Sequence, residues 1–327
     1  MKKSIFLFKS KHYSKKMSIW LILGVGLAYV VALALVLILH YRKTLQRRKS
    51  KKDIRLKTNV LLVYKQIGET PVDVVNRVSK KLAIDGREPE LAFAGRLDPM
   101  ACGWMHILLN DEKKNAEHYN HLDKTYQFQI LVNFCNTDTT DILGIVDPAS
   151  LRTVDNSLDN GSKINPEDII NAFCRRVGKQ NQRYHQFSSF VISTRNPTSG
   201  KKERHPLWYY TINNRLAELV PFPSKDIEIY SCINRKFSYH NTINVLNDIQ
   251  SRINRCGHPE LRLEAIQKQW QDMAASSSAL DPRATILKMK FEAKVSYGTY
   301  IRQLISDVSA ELSIPMTVLQ IKRLAYQ

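Results

Sequence analysis

The chain has 327 residues, 43% of them hydrophobic, enough to bury a core of one or two domains, which excludes a disordered polymer. Its formal charge is +19, but residues 1–57 carry +14 of it, so the remainder is only mildly basic and net charge alone assigns it no nucleic-acid partner. The five cysteines contain no C-x-x-C pair and the nine histidines no H-E-x-x-H, so the sequence predicts neither a zinc site nor a disulfide framework and favours a reducing compartment.

In chain order, residues 1–16 form a basic tail. Residues 17–39 carry no charge, and at helical rise they span roughly 35 Å, more than a hydrocarbon core of about 30 Å. Trp20 and Tyr41 stand near the ends, where interfacial rings are favoured. The segment reads as one transmembrane helix; a buried core helix or an organelle-targeting segment is the alternative. Lysines and arginines flank it almost equally on both sides, so charge barely orients it. The free cysteines place the following domain in the cytosol, as a single-pass membrane protein, with a cytoplasmic location the alternative. Residues 40–58 are a basic linker, either solvated or laid on anionic lipid or RNA.

From residue 59 the pattern is globular. Asn59–Tyr64 reads as a strand. Thr70 caps a helix that starts on Pro71 and carries Val74, Val75 and Val78 on one face to about Ala83. A tight loop around Asp98 precedes a strand, Gly103–Leu109. Asp98 stands before Pro99, which pushes it toward extended geometry, and Gly95 and Gly103 permit sharp bends on either side. Either this is a surface turn or the carboxylate projects into a cleft. Asp111–Leu122 reads as a helix. Tyr126, Phe128, Ile130, Val132 and Phe134 alternate along a strand with one packed face. A polar loop, 147–165, leads to a helix from Pro166 to Val177. Asn181–Lys202 is basic and partly extended, and Ile227–Phe237 carries strand signals. Two helices, Asn241–Cys256 and Pro259–Met273, end in a flexible break at Ala274–Ser278. Leu287–Val295 is a half-buried strand, Thr299–Leu312 a helix, and Val318–Ile321 a short final strand. Strands and helices do not alternate regularly, which predicts an α+β fold with a central, mainly antiparallel mixed sheet flanked by helices.

Three segments, in order and spacing, resemble the TruB-type tRNA pseudouridine synthases. They are Gly95-Arg96-Leu97-Asp98-Pro99 with Gly103; Lys124-Thr125-Tyr126 followed by Thr137-Asp138-Thr139-Thr140-Asp141 and Gly144; and Ser296-Tyr297-Gly298-Thr299-Tyr300-Ile301-Arg302 followed by Lys322-Arg323-Leu324. The resemblance runs from about Val60 to the C-terminus, so residues 59–327 are expected to be one catalytic domain of pseudouridine synthase fold, without the PUA domain often found beyond it. It implies a monomeric, cofactor-free and metal-free isomerase that converts a tRNA uridine, position 55 of the T-loop, to pseudouridine. Asp98 would be the essential carboxylate, Tyr126 the aromatic against the base, and Arg302 the cation that pairs with Asp98 in a bidentate fit. Phe93, Arg96, Tyr300 and Lys65 would face the substrate. Arg183, Lys201, Lys202 and Arg204 would hold phosphates or stand as solvated charges.

The sequence departs from the family pattern in places. Phe93 stands where the pattern has His in G-H-x-G, Lys65-Gln66-Ile67-Gly68 lacks the proline of K-P-x-G, and Arg96 replaces Thr. These departures keep two alternatives open: a non-catalytic RNA-binding or RNA-folding protein on the same fold, and a membrane-anchored scaffold.

Overall fold

The computed structural model describes residues 54–57, 59–152, 164–195, 200–278 and 284–326. The expected tail, the transmembrane segment 17–39 and most of the linker lie outside the described residues. Among the described residues no helix is long and apolar enough to cross a membrane. Strand β1 is Ile54–Lys57, and residues Leu56–Gln327 form one compact unit.

Helix α1 (Pro71–Leu82) starts as its sequence dictates. Thr70 and Asp73 form a reciprocal capping box, with Asp73 N donating to Thr70 Oγ1 at 3.2 Å and Thr70 N to Asp73 Oδ2 at 2.6 Å. Val74 and Val78, one turn apart, bury the inward face. The helix packs on strands β2 (Val60–Lys65) and β3 (Leu91–Ala94), which both pair with β4 (Ala101–Leu109). β4 pairs antiparallel with β2 along one edge. Its other edge is divided. Ala101–Gly103 pair in parallel with Ile321–Arg323 of the last strand, β11 (Met316–Tyr326), while the far half takes β3, Ala94 opposite His106. The loop Gly95–Met100 joins β3 to β4 where these two partners meet.

Beyond β11 the sheet continues through β5 (Lys124–Val132), β10 (Thr285–Val295), β9 (Ser224–Asn241) and β6 (Gly178–Arg183), all antiparallel to their neighbours. Among the described pairs from β2 onward, the β4–β11 pair is parallel and the others antiparallel, which is the mixed architecture expected. A separate hairpin, β7 (Val191–Arg195) and β8 (Lys202–Pro206), leads into a short helix, α4 (Leu207–Ile212).

The alternation along β5 sends Phe128, Ile130 and Val132 to one face, where helices α3 (Pro166–Arg175) and α7 (Ile301–Leu312) cover them. Phe291 lies between Phe128 and Phe173, with ring centroids 5.5 and 4.4 Å away. Each such buried ring contributes about 2–3 kcal/mol relative to exposure. The expectation of a single packed face needs correction. Leu131 points the other way, into a second core with Leu246, Ile266 and Trp270 of helices α5 (Thr242–Ile253) and α6 (Leu263–Ser278). Met100, in the loop that carries Asp98, belongs to this second core.

Other boundaries differ from the sequence reading. Asp111–Leu122 is a 3-10 turn, Asn110–Asn115, and then one short helix, α2 (Ala116–Asn120). Neither piece buries a residue, so no apolar stripe holds a longer helix. Ala274–Ser278 continues α6, as alanine favours. The final strand extends to Tyr326.

Candidate active site

The Gly95–Met100 loop is held from three directions. Below it, Lys65 continues the buried row Leu61, Val63 along β2. Its Nζ donates to Ala101 O at 2.6 Å and to Pro99 O and Gln66 O at 3.2 Å. Burial pulls this ammonium down to about 8, against the pull of Asp98. Expected among the substrate-facing residues, Lys65 is fully buried and donates to three backbone carbonyls, one in the loop, one at the start of β4 and one in its own turn. Gly68 N adds a bond to Pro99 O at 2.9 Å.

Behind the loop, Arg323 enters from β11. It is buried, and its Nη1 donates to Gly95 O at 2.7 Å and its Nη2 to Arg96 O at 2.8 Å. The same guanidinium reaches the hydroxyl of Tyr126 from Nε at 3.2 Å and Nη2 at 3.1 Å. Tyr126 therefore accepts from Arg323 and keeps its own O–H free to donate. Two glycines make room for this approach. A Cβ at Gly103 (φ +127°) would stand 2.3 Å from Arg323 O, and one at Gly95 (φ +69°) would stand 2.9 Å from the Tyr326 hydroxyl.

Across the loop, Arg302 lies in the first turn of α7. Its Nε donates to Asp98 Oδ2 at 2.8 Å, with the arginine side chain 6% and the aspartate 37% exposed. The expected bidentate fit is not made: one hydrogen bond joins the pair, and Nη1 donates to Thr139 O at 3.1 Å. Among the described residues the other oxygen of Asp98 accepts no protein hydrogen bond and is open to a ligand. Asp141 Oδ2 lies 4.0 Å from the same Nε. Burial opposes charge on Arg302, yet Asp98 and Asp141 together raise its pKa, so the guanidinium stays charged. Burial raises the Asp141 carboxyl, against the pull of Arg302. Asp141 Oδ1 accepts from Leu143 N and Thr139 Oγ1, both at 2.9 Å.

Tyr300 caps α7, and its backbone N and O make a two-point contact with Gln182 at 2.9 and 3.1 Å. Its phenol is pushed up to about 12, first by burial and then by the Asp98 charge. Its ring meets Tyr184 edge-on at 5.5 Å. Phe93 is half-buried, and the exposed Arg96 guanidinium lies 5.6 Å from its ring centroid. Lys202 and Arg204 are exposed on the β7–β8 hairpin, while Arg183 lies 4.5 Å over the Phe222 ring. The structure thus joins Asp98 to Arg302 directly and Tyr126 to the Asp98 loop through Arg323. Sequence reasoning gave no role to Arg323, Asp141 or Gln182. Two of these lay inside segments already singled out, Thr137–Asp141 and Lys322–Leu324; Gln182 had no signal.

An accessible carboxylate with one unoccupied oxygen, fixed by a buried guanidinium, suits nucleophilic attack or stabilisation of a cationic sugar. Residues 86–202 match the TruB family pseudouridylate synthase N-terminal domain. The chain is similar to tRNA pseudouridine synthase B of Lactococcus lactis subsp. cremoris, 28% identical over 174 residues that cover 53% of this chain and 45% of that one. It is also similar to the Thermotoga petrophila protein of the same name, 36% identical over 91 residues, 28% of each chain. The matches thus span less than half the length of these curated relatives. Among solved structures, a Cbf5-Nop10-Gar1 complex aligns with a TM-score of 0.42 at 13% identity, over 82% of this chain and 48% of that one. The domain match over residues 86–202 and the named relatives together support a TruB-type pseudouridine synthase family for this chain.

Proposed function

We infer that the chain isomerises a uridine of tRNA, the T-loop uridine at position 55, to pseudouridine, with Asp98 as the essential carboxylate. The observation that carries this is the open oxygen of Asp98 on a loop whose backbone is fixed by Lys65 and Arg323 and whose acid is fixed by Arg302. The target nucleotide must leave its stack, at a cost of a few kcal/mol, partly offset by contact with aromatic rings. The C1′–N1 bond then breaks while Asp98 faces the sugar. The uracil turns, a C1′–C5 bond forms, and the C5 proton departs as N1 gains one. Nothing is oxidised or reduced, and the atoms balance without a co-reactant. Tyr126 borders the base, and Arg96 and Phe93 lie beside Asp98 on the substrate side. In this reading residues 17–39 tether the domain to a membrane, facing the cytosol.

The test is pseudouridine formation on unmodified tRNA transcript by the full chain and by Asp98→Asn. The wild type is expected to modify a single T-loop uridine and the variant to have no detectable turnover. Full activity of Asp98→Asn refutes the assignment. Tether and catalysis separate in a carbonate wash of membranes, which leaves a spanning protein in the pellet and releases a peripheral one.

A further inference from the structure

Among the described residues, helices α5 and α6 and the turn between them share no hydrogen bond or ion pair with Asp98 or Arg302, yet they grip the segment that does. Trp270 is fully buried, and its Nε1 donates to Ile142 O at 3.0 Å. Gln269 Nε2 donates to Gly144 O at 2.9 Å, and its Oε1 accepts from Val146 N at 3.1 Å. Just before α6, Arg262 pairs with Asp138, Nη1 to Oδ2 at 2.6 Å and Nη2 to Oδ1 at 3.2 Å. Asp138 Oδ1 in turn accepts from Ile145 N at 2.8 Å. These side chains stand in for a neighbouring strand along one side of Thr137–Val146.

The other side of that segment leans on β11, with Val318 N donating to Thr140 O at 2.8 Å and Ile142 N to Val318 O at 3.2 Å. Between the two supports, Thr140 takes a left-handed backbone (φ +64°), a conformation that a β-branched residue holds only when its surroundings impose it. The strained stretch carries the two groups that fix Arg302, the carbonyl of Thr139 and the carboxyl of Asp141.

We propose that residues 242–278 are a brace for the catalytic pair. Gln269 and Arg262 act as positioning residues: they hold Thr137–Val146 so that Thr139 and Asp141 keep Arg302 on Asp98. The activity readout of this inference rests on the pseudouridine synthase reading; its structural readout does not.

The experiment compares the full chain with Gln269→Ala and with Gln250→Ala. Gln250 Nε2 bonds Trp270 O at 3.3 Å within the helical pair and has no bond to the loop. For Gln269→Ala, kcat on tRNA transcript is expected to fall roughly tenfold or more, as misplacement of reacting groups does, with KM within about twofold and the protein assayed well below its Tm. Gln250→Ala is expected to keep kcat. Gln269→Glu keeps the acceptor for Val146 N but loses the donor for Gly144 O, and is expected to fall between, which also covers the case in which the alanine variant folds poorly. Without substrate, amide hydrogen exchange in Gln269→Ala is expected to rise at Ile142–Val146 and at Leu304–Ile305. Unchanged kcat in Gln269→Ala, or equal losses in the Gln269→Ala and Gln250→Ala variants, overturns the brace. If the wild type makes no pseudouridine, the functional reading falls, and unchanged exchange at both segments then overturns the brace independently.

Discussion

Replacing Arg323 by methionine tests whether the Asp98 loop is clamped from behind. The substitution roughly keeps the volume and removes every donor. Gly95 O and Arg96 O, bonded at 2.7 and 2.8 Å, lose their Arg323 partners at a site where the arginine is 1% exposed and water has little access. Each buried acceptor left bare costs about 1–3 kcal/mol, so the two together cost about 2–6 kcal/mol. The methionine also removes the penalty for burying a guanidinium, which offsets about 1–2 kcal/mol. The net loss, about 0–5 kcal/mol with a middle of about 2.5, lowers Tm by roughly 2–4 °C per kcal/mol for a domain of this size, or about 5–10 °C at the middle of that range. The Tyr126 hydroxyl loses both of its donors at the same time, so activity is expected to fall further than stability. Circular dichroism melts and pseudouridine formation well below Tm measure the two effects separately. Wild-type turnover with an unchanged Tm would show that the loop holds its shape without Arg323 and would refute the clamp.

Three further outcomes follow from the same geometry. Arg302→Gln removes the charge beside Asp98 and is expected to lower kcat by about 10²–10³ while tRNA binding, measured by filter retention, stays within a few-fold. Gly103→Ala puts a Cβ 2.3 Å from the β11 backbone at a φ of +127°; because backbone cannot step aside, soluble yield in expression is expected to collapse, whereas Gly86→Ala, with nothing within 4 Å of its Cβ, is expected to remain soluble. His258 bonds Asp73 at 2.7 Å and Glu260 at 3.0 Å, and although burial opposes its charge, these carboxylates raise its pKa. A raised folded-state pKa gives stability that is full below the unfolded value of about 6.5 and is lost as pH rises through the folded value. The Tm gap between wild type and His258→Gln is therefore expected to be widest near pH 5–6 and to narrow above pH 7, and a gap independent of pH contradicts the pairing.

How much of this was legible in the sequence depends on what each residue does. Asp98 and Arg302 were expected from the resemblance their flanking motifs carry; the proline and glycine spacing alone left Asp98 either in a surface turn or facing a cleft. Their pairing geometry was not legible. A motif brings two residues together but cannot say that Thr139 O will capture one arm of the guanidinium and leave a single N–H for the acid. Lys65 was expected to face the substrate on the resemblance alone. Strand parity told otherwise: Leu61, Val63 and Lys65 lie two apart on the buried side of β2. Arg323 repeats the case, because Ile321 and Arg323 share a face of β11 and ending that strand at Ile321 hid the arginine. The β7–β8 hairpin was illegible for a different reason. Its exposed polar strands carry no alternation deep enough to read.

These placements explain why a half-exposed aspartate can be held in one position. An acid 37% exposed gains little from its own surroundings, because a charge near water is screened. Its geometry must then come from groups that water does not reach. Lys65, Arg302 and Arg323 are all buried cations, and each spends donors on backbone carbonyls at or around the loop. Burying three cations is costly unless their donors are satisfied, so each is stable only while the loop keeps its shape. The dependence is mutual: the loop is rigid because Lys65 and Arg323 hold its carbonyls and Arg302 its carboxylate, and the cations remain buried because these acceptors, with Thr139 O, satisfy them. The acid is thus the one charged member of the group left free to meet a substrate; loosening Lys65 or Arg323 is expected to reach Asp98 through the backbone, and loosening Arg302 through its direct bond to the carboxylate.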